Sequence, residues 1–393
     1  MMTQQSWRPF LMVSLALCIG TIGTALASPL YPIYQELWHL LPSHITYIFV
    51  AYMFGCLATL LFLGRISNSL GFLRTLQIGI IFVILGLAIS SIAPNAAWLA
   101  FGRFIIGIAS GLISTSAMLG LITTIPDRHK QNAPQLSSII TVIGFGLGPF
   151  IGGLIAQFST SPLTTPYLPI IAAAMACFCG LFWLKVPQFK AQPFSIAPRL
   201  ETPHAQHKAL FFIAGFTAFC AFGAFSLFAS LSPSFVKDLI PWHGPLISGA
   251  AISSILLISA LVQFFAKNLT AAKSLTLGLM TLLLSFILLG LCMSMQWSTL
   301  FFISDILVGV GHGLGLLGAF GLIHQMTSAD NRAAVMSTYL FIGYLGTIVP
   351  IIAVGYLADH FGLTTGVLGF CIGVGLLCFA LLVWYKKISS LKK

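Results

Sequence analysis

Charge is what this sequence has least of. Only 6% of its 393 residues are Asp, Glu, Lys or Arg, where an ordinary soluble domain carries about 25%. Acidic residues are the scarcest, seven in the whole chain, while 58% of the residues are hydrophobic. A soluble fold of this size has too much surface for so few polar groups to cover, so the solvent around most of the chain is lipid. The shortages continue at the level of motifs. The eight cysteines all lie in apolar runs without a CxxC pair, and read as small core residues holding neither metal nor disulfide. There is no GxxxxGK[ST] loop to cradle a nucleotide and no HExxH pair to hold zinc. Gly313-x-Gly315-x-x-Gly318 satisfies GxGxxG, but it lies inside an apolar run with no strand before it and is not a nucleotide site. No cofactor is expected, and the lack of lysine within the apolar runs excludes a retinal-type Schiff base.

Long uncharged runs rich in glycine (37) and phenylalanine (33) take the place of charge. A bilayer core needs roughly 20 apolar residues per helix, and backbone in lipid must satisfy its own hydrogen bonds. Splitting the runs at proline, polar and charged punctuation predicts twelve transmembrane helices, near 10–30, 44–64, 75–93, 97–122, 134–158, 166–186, 209–231, 245–266, 274–295, 299–324, 333–357 and 364–385. Barrel strands are far shorter, about ten residues each. Arg8, an apolar run and Ala25-Leu26-Ala27 resemble a cleavable signal peptide, but the repeat described below requires a retained first helix.

The net charge of +11 is a topology signal. With twelve spans, every Lys and Arg except Arg103 and Lys237 falls on one side, which the excess of cytoplasmic basic residues makes the inside. Both termini are then cytoplasmic, and the protein is expected in the cell (inner) membrane with the bilayer, not nucleic acid, as its partner. The proline-rich, basic segment 187–208 reads as a cytoplasmic linker between a six-helix bundle over 1–186 and a second over 209–393.

The two bundles repeat. Ser28-Pro29 and Trp38-His39 recur as Ser232-Pro233 and Trp242-His243, 204 residues on. Arg103-x3-Gly107-x3-Gly111 recurs as Asp305-x3-Gly309-x3-Gly313 at an offset of 202, and Gly153-Leu-Ile-Ala156 recurs as Gly355-Tyr-Leu-Ala358 at the same offset. Parallel halves of this kind, with sites near the bilayer midplane, are a transporter architecture.

Three stretches carry a family likeness: Gly64-Arg-Ile-Ser-Asn68-Ser-Leu-Gly71-Phe-Leu-Arg74 between spans two and three, Arg103-Phe-Ile-Ile-Gly107 in span four, and Gly144-x3-Gly148-Pro149-x2-Gly152-Gly153 in span five. On these the chain resembles the major facilitator superfamily, with the third stretch similar to its drug:proton antiporter branch. The first departs from the family's G-x3-D-R-x-G-R-R loop, holding Asn68 where the family has the Asp that helps lock the halves. The resemblance implies an all-α integral membrane protein of two pseudo-symmetric six-helix bundles, with spans 1, 4, 7 and 10 around a central cavity. The glycines of span five give a smooth face for close packing, here expected against the other half, and Pro149 a local bend.

An ionised side chain in the membrane costs at least ~2.5–3.5 kcal/mol on insertion scales, and within the spans only Arg103 and Asp305 carry charge. Counted from Trp98 and Trp297 at about 1.5 Å per residue, both lie roughly 8–12 Å below the outer interface. Asp305 is the candidate proton carrier, and Arg103 tunes it or binds substrate. His312 follows Asp305 by two turns on nearly the same face and is the second proton-coupling candidate. Ser14, Cys18, Thr21, Ala25 and Ser28 form a small polar stripe on span one, and Arg103, Gly107, Ser110 and Ser114 share a face of span four. Thr21, Ser28, Arg103, Ser110 and Ser114 are therefore candidate cavity residues. The expectation is a monomeric secondary transporter, not an enzyme, working by proton-coupled efflux of a small apolar or drug-like compound. The alternative is uptake or facilitated diffusion of a small metabolite such as a sugar, amino acid or organic acid.

Overall fold

The computed structural model describes residues 7–64, 66–184, 200–239, 244–328 and 331–391, together with 186, 193, 196 and 198. Arg65, Lys185, Lys190, Arg199, Lys392, Lys393, the Trp242-His243 pair and most of 187–199 lie outside them. Among the described residues every regular element is helical: α1 Arg8–Ala25, α2 Tyr31–Leu37, α3 Pro42–Ala58, α4 Ile66–Leu70, α5 Phe72–Ser91, α6 Ala96–Thr124, α7 Ala133–Phe158, α8 Tyr167–Leu181, α9 Lys208–Ser230, α10 Ser232–Leu239, α11 Pro245–Phe265, α12 Ala271–Met295, α13 Ser298–Met326, α14 Arg332–Phe361 and α15 Leu363–Leu391. Eleven helical segments are long and apolar enough to cross a membrane, and α8 is a shorter apolar helix.

Two boundaries differ from the expected spans for identifiable reasons. α1 stops at Ala25, and a 3₁₀ turn over Ser28–Leu30 leads into α2. Pro29 has no N–H for the Ala25 carbonyl and its ring collides with that carbonyl, so the first α-helix cannot run on to residue 30. Pro233 acts alike behind α9, where Ser232 opens α10 as Ser28 opens its turn. The sixth span is helical only over Tyr167–Leu181, because the Phe182 and Trp183 N–H groups bond three residues back, to Cys179 and Gly180, and tighten the chain out of the helix.

The repeat is visible in the elements. α6 and α13 are both 29 residues long and start 202 residues apart. α7 and α14 each pass through an internal proline, Pro149 and Pro350, without breaking. Gly71, at φ 84°, opens α5 in a backbone conformation that a side chain would strain.

By internal contacts the chain forms two units, Met1–Leu30 with Ala51–Pro198 and Tyr31–Val50 with Arg199–Lys393, the division falling inside α3. In the first unit α1 packs on α6, α7 and α8, and α5 on α6 and α8. In the second, α13 packs on α9, α11 and α12, with α14 on α9 and α15 on α12. Glycine sets the closest crossings. A Cβ on Gly107 of α6 would collide with the Tyr52 carbonyl of α3, and one on Gly55 with the Phe104 carbonyl. In the second unit Gly309 and Gly313 of α13 press on the Ile255 and Ser259 carbonyls of α11 at 2.9 and 2.7 Å from where their Cβ atoms would stand. Backbone against backbone is the packing membrane helices use when apolar burial gives no driving force.

The span-five motif packs differently from expectation. Gly144 and Gly148 of α7 meet Thr21 and Ile22 of α1, and Gly152 meets Leu26 just beyond it, in the same unit. Small-residue spacing signals close approach but does not name the partner helix, and here the partner is local.

Candidate functional site

In the second unit a set of buried polar groups lies along the seam between α11 and α13. Asp305 is 4% exposed. Its Oδ2 accepts a hydrogen bond from the Ser254 hydroxyl of α11, and its Oδ1 is buried without a partner. Ser254 Oγ also lies 2.7 Å from the Ala251 carbonyl. Ser253 Oγ beside it is buried and unpartnered. Two turns along α13, His312 is 6% exposed, and its Nδ1 lies 2.8 Å from Ser259 Oγ, which in turn accepts from Gln263 Nε2 at 3.2 Å. The imidazole stands beside Phe222 and Phe225 of α9, with ring centroids 6.1 and 6.3 Å away. Gly309 and Gly313 make this seam possible, because they bring the α11 serines within reach of two α13 side chains.

Among the described residues no opposite charge pairs with Asp305 in this unit. α11 contains no Asp, Glu, Lys or Arg, and α9 and α12 hold one each, Lys208 and Lys273, in their first turns. A carboxylate left in such surroundings loses its hydration without a counter-ion in return.

In the first unit Arg103 is 1% exposed. Its Nη1 donates to the Thr24 carbonyl in the last turn of α1, and its guanidinium lies 5.1 Å from the centroid of the Tyr52 ring. Carbonyls at a helix C-terminus run out of N–H partners, and a cation there also meets the negative end of the helix dipole. Pro29 ends α1 at that point, so Arg103 serves as its cap. Arg103 Nε remains buried without a partner. Tyr52 Oη sits 3.4 Å from Ser110 Oγ.

The other sequence candidates fall in several places. Thr21 is buried with its hydroxyl returned to the Leu17 and Cys18 carbonyls, at 2.9 and 3.0 Å, and it lies under Gly144. Cys18, Thr21 and Ala25 of the span-one stripe thus lie on the seam between α1 and α7. Ser28 is buried in its 3₁₀ turn, Ser114 is half-buried, and Gly153 is buried. Gly64 follows a π-helical turn over Thr59–Leu63, Asn68 is half-buried on α4, and Arg74 is exposed near the start of α5. Tyr52, Ser254, Ser259, Gln263, Phe222 and Phe225 escaped the sequence reading. The signal for the α11 residues was present as Ser253-Ser254, Ser259 and Gln263 in a span otherwise apolar but for Ser248. Among the described residues no three His, Cys, Asp or Glu side chains stand together to hold a metal.

Long apolar helices in a repeated order, crossing through glycines and burying isolated charges, define a polytopic membrane transport protein. Residues 13–284 match the family model described as Major Facilitator Superfamily, and the chain belongs to that superfamily. It is thus a transporter and not an enzyme. It is 26% identical over 385 residues to the multidrug efflux protein YfmO of Bacillus subtilis (strain 168), covering 97% of this chain and 94% of that one. Its fold is like that of a bacterial homolog to the human lysosomal transporter Spinster in an inward-facing and occupied conformation, with a TM-score of 0.75 at 13% identity, covering 97% of this chain and 96% of that one. It is also like a POT family transporter in complex with 5-aminolevulinic acid, with a TM-score of 0.76 at 14% identity and the same coverage. At such identities the likeness is one of fold.

Proposed function

We propose that this transporter couples efflux of a small apolar, drug-like compound to proton entry by alternating access, and that Asp305 carries the proton. The protein works as a monomer in the cell membrane with both termini cytoplasmic, the orientation supported by its basic residues. The observation that carries the reading is the paired geometry at Ser254. With Asp305 ionised, the Ser254 hydroxyl donates to Oδ2. With Asp305 neutral, the carboxyl O–H donates to Ser254 Oγ, and the hydroxyl proton turns to the Ala251 carbonyl at 2.7 Å. One hydroxyl thereby serves both protonation states, and neither state strands a buried donor. Binding a proton shifts the balance between inward-open and outward-open forms only insofar as Asp305 holds it more tightly in one of them. The likeness to a multidrug efflux protein over nearly the whole chain supports the direction and the substrate class.

Inverted vesicles test this. They are acidified by respiration and challenged with lipophilic cations, phenicols, sugars and amino acids while lumenal pH is followed. A compound that dissipates the gradient with the wild type and not with Asp305→Asn is the expected result. A response equal in the two proteins removes Asp305 as the carrier.

A further inference from the structure

The hydrogen bonds around His312 have a direction. Gln263 Nε2 donates to Ser259 Oγ. The Ser259 hydroxyl has one proton to give, and the acceptor available to it among the described residues is His312 Nδ1, 2.8 Å away. In the tautomer where Nδ1 accepts that proton, the neutral ring carries its own proton on Nε2. Nε2 has no hydrogen-bond partner among the described residues. The result is an N–H donor held in one tautomer by a two-residue brace on α11 and left without an acceptor.

Its surroundings are aromatic. Phe222 and Phe225 of α9 flank the ring, and Tyr344 of α14 stands 5.7 Å from Phe222 between ring centroids. All three side chains are half-buried, so this cluster is not sealed within its own unit. Flat aromatic walls with one fixed polar group are the ordinary composition of a small-molecule site, the walls giving affinity and the polar group orientation.

We infer that His312 recognises substrate through Nε2–H, and that the ligand class is a planar aromatic molecule with an uncharged oxygen acceptor, its ring lying against Phe222 and Phe225. This rests on the reading of the second unit as a transport site. It assigns His312 to recognition rather than proton transfer. Ser259 and Gln263 are positioning residues that act through it.

The test is binding to purified protein in detergent, followed by fluorescence, with 7-methoxycoumarin, which has a carbonyl acceptor, and naphthalene, which has none. The wild type is expected to prefer 7-methoxycoumarin by about five- to tenfold, the scale of one hydrogen bond. Glutamine places an amide N–H near the position of Nε2 and asparagine near that of Nδ1. His312→Gln therefore keeps the preference, and His312→Asn and His312→Phe lose it while still binding naphthalene. Phe222→Ala weakens both probes alike. Equal binding of the two probes by the wild type, binding of neither, or a preference surviving in His312→Phe overturns the assignment. Absence of substrate-driven proton flux in vesicles defeats the proton-coupled reading alone and leaves this comparison standing.

Discussion

Ser254 of α11 meets Asp305 of α13 from across a helix seam that the glycines of α13 hold tight. The pairing gives the one buried acid of the second unit's long helices a partner that can either give or take a hydrogen bond. A lysine or arginine in that position would instead hold the carboxylate permanently ionised. A hydroxyl can donate to an ionised carboxylate or accept from a neutral one.

Replacing Asp305 by Asn keeps the size and the hydrogen bond to Ser254 and removes the titration. Folding is expected to change by about 1 kcal/mol or less. Substrate-driven proton movement in inverted vesicles is expected to fall to the level of vesicles without the protein. Thermal unfolding in detergent, run beside the flux assay, separates the two effects.

Ser254→Ala deletes the partner and leaves both carboxyl oxygens buried alone. A cost of about 1–3 kcal/mol is expected, the desolvation penalty of an unpaired buried group. Ser254→Thr keeps a hydroxyl and is expected to retain flux. Equal stability of wild type and Ser254→Ala would show that the hydroxyl gives Asp305 nothing.

The helix crossings are tested through two glycines with opposite surroundings. A methyl group on Gly107 collides with the Tyr52 carbonyl, while one on Gly373 has nothing within 4 Å. Gly107→Ala is expected to destabilise by roughly 1–3 kcal/mol, since backbone has to move. Gly373→Ala is expected to fall within about 0.5 kcal/mol of the wild type. Melting temperatures of the two variants, measured in one detergent, decide the matter.

Arg103→Lys retains the charge and loses the planar group that both caps α1 and stacks on Tyr52. A loss of about 1–2 kcal/mol is expected, the size of a partly desolvated cation–π contact. A lysine variant as stable as the wild type would mean that only charge matters at this position.

Orientation is open to labelling. Leu41 and Arg128 are both exposed, at what the basic residues make the outer and inner ends of their helices. A membrane-impermeant maleimide applied to intact cells is expected to label Leu41→Cys and to spare Arg128→Cys. The reverse pattern would invert the topology.

The sequence disclosed the helices and their repeat, because lipid forces both: runs of the required length have no alternative to a helix, and a 202-residue offset survives as two 29-residue helices. It also disclosed Asp305 and Arg103, whose charges are conspicuous in apolar surroundings. Contact partners stayed hidden. The spacing of Gly144, Gly148 and Gly152 announces a flat face yet is silent on which helix lies against it, and that helix is α1. Thr21 reads as a cavity residue by composition and spends its hydroxyl on its own helix. Ser254 and Ser259 look like the many other serines of the chain until α13 is laid against α11, for only tertiary packing distinguishes a serine that returns its proton to its own backbone from one that reaches an acid or an imidazole.

The paired crossings of α6 on α3 and α13 on α11 have a bearing on which side chains each position can hold. Where main chain rests on main chain, any residue larger than glycine forces backbone to move. The position one turn before each such glycine is under no such restraint. In one unit that position holds the arginine that ties off a neighbouring helix, and in the other the acid that faces a serine. One rigid crossing used twice, with a different side chain one turn before its glycine, thus gives two units that bury opposite charges.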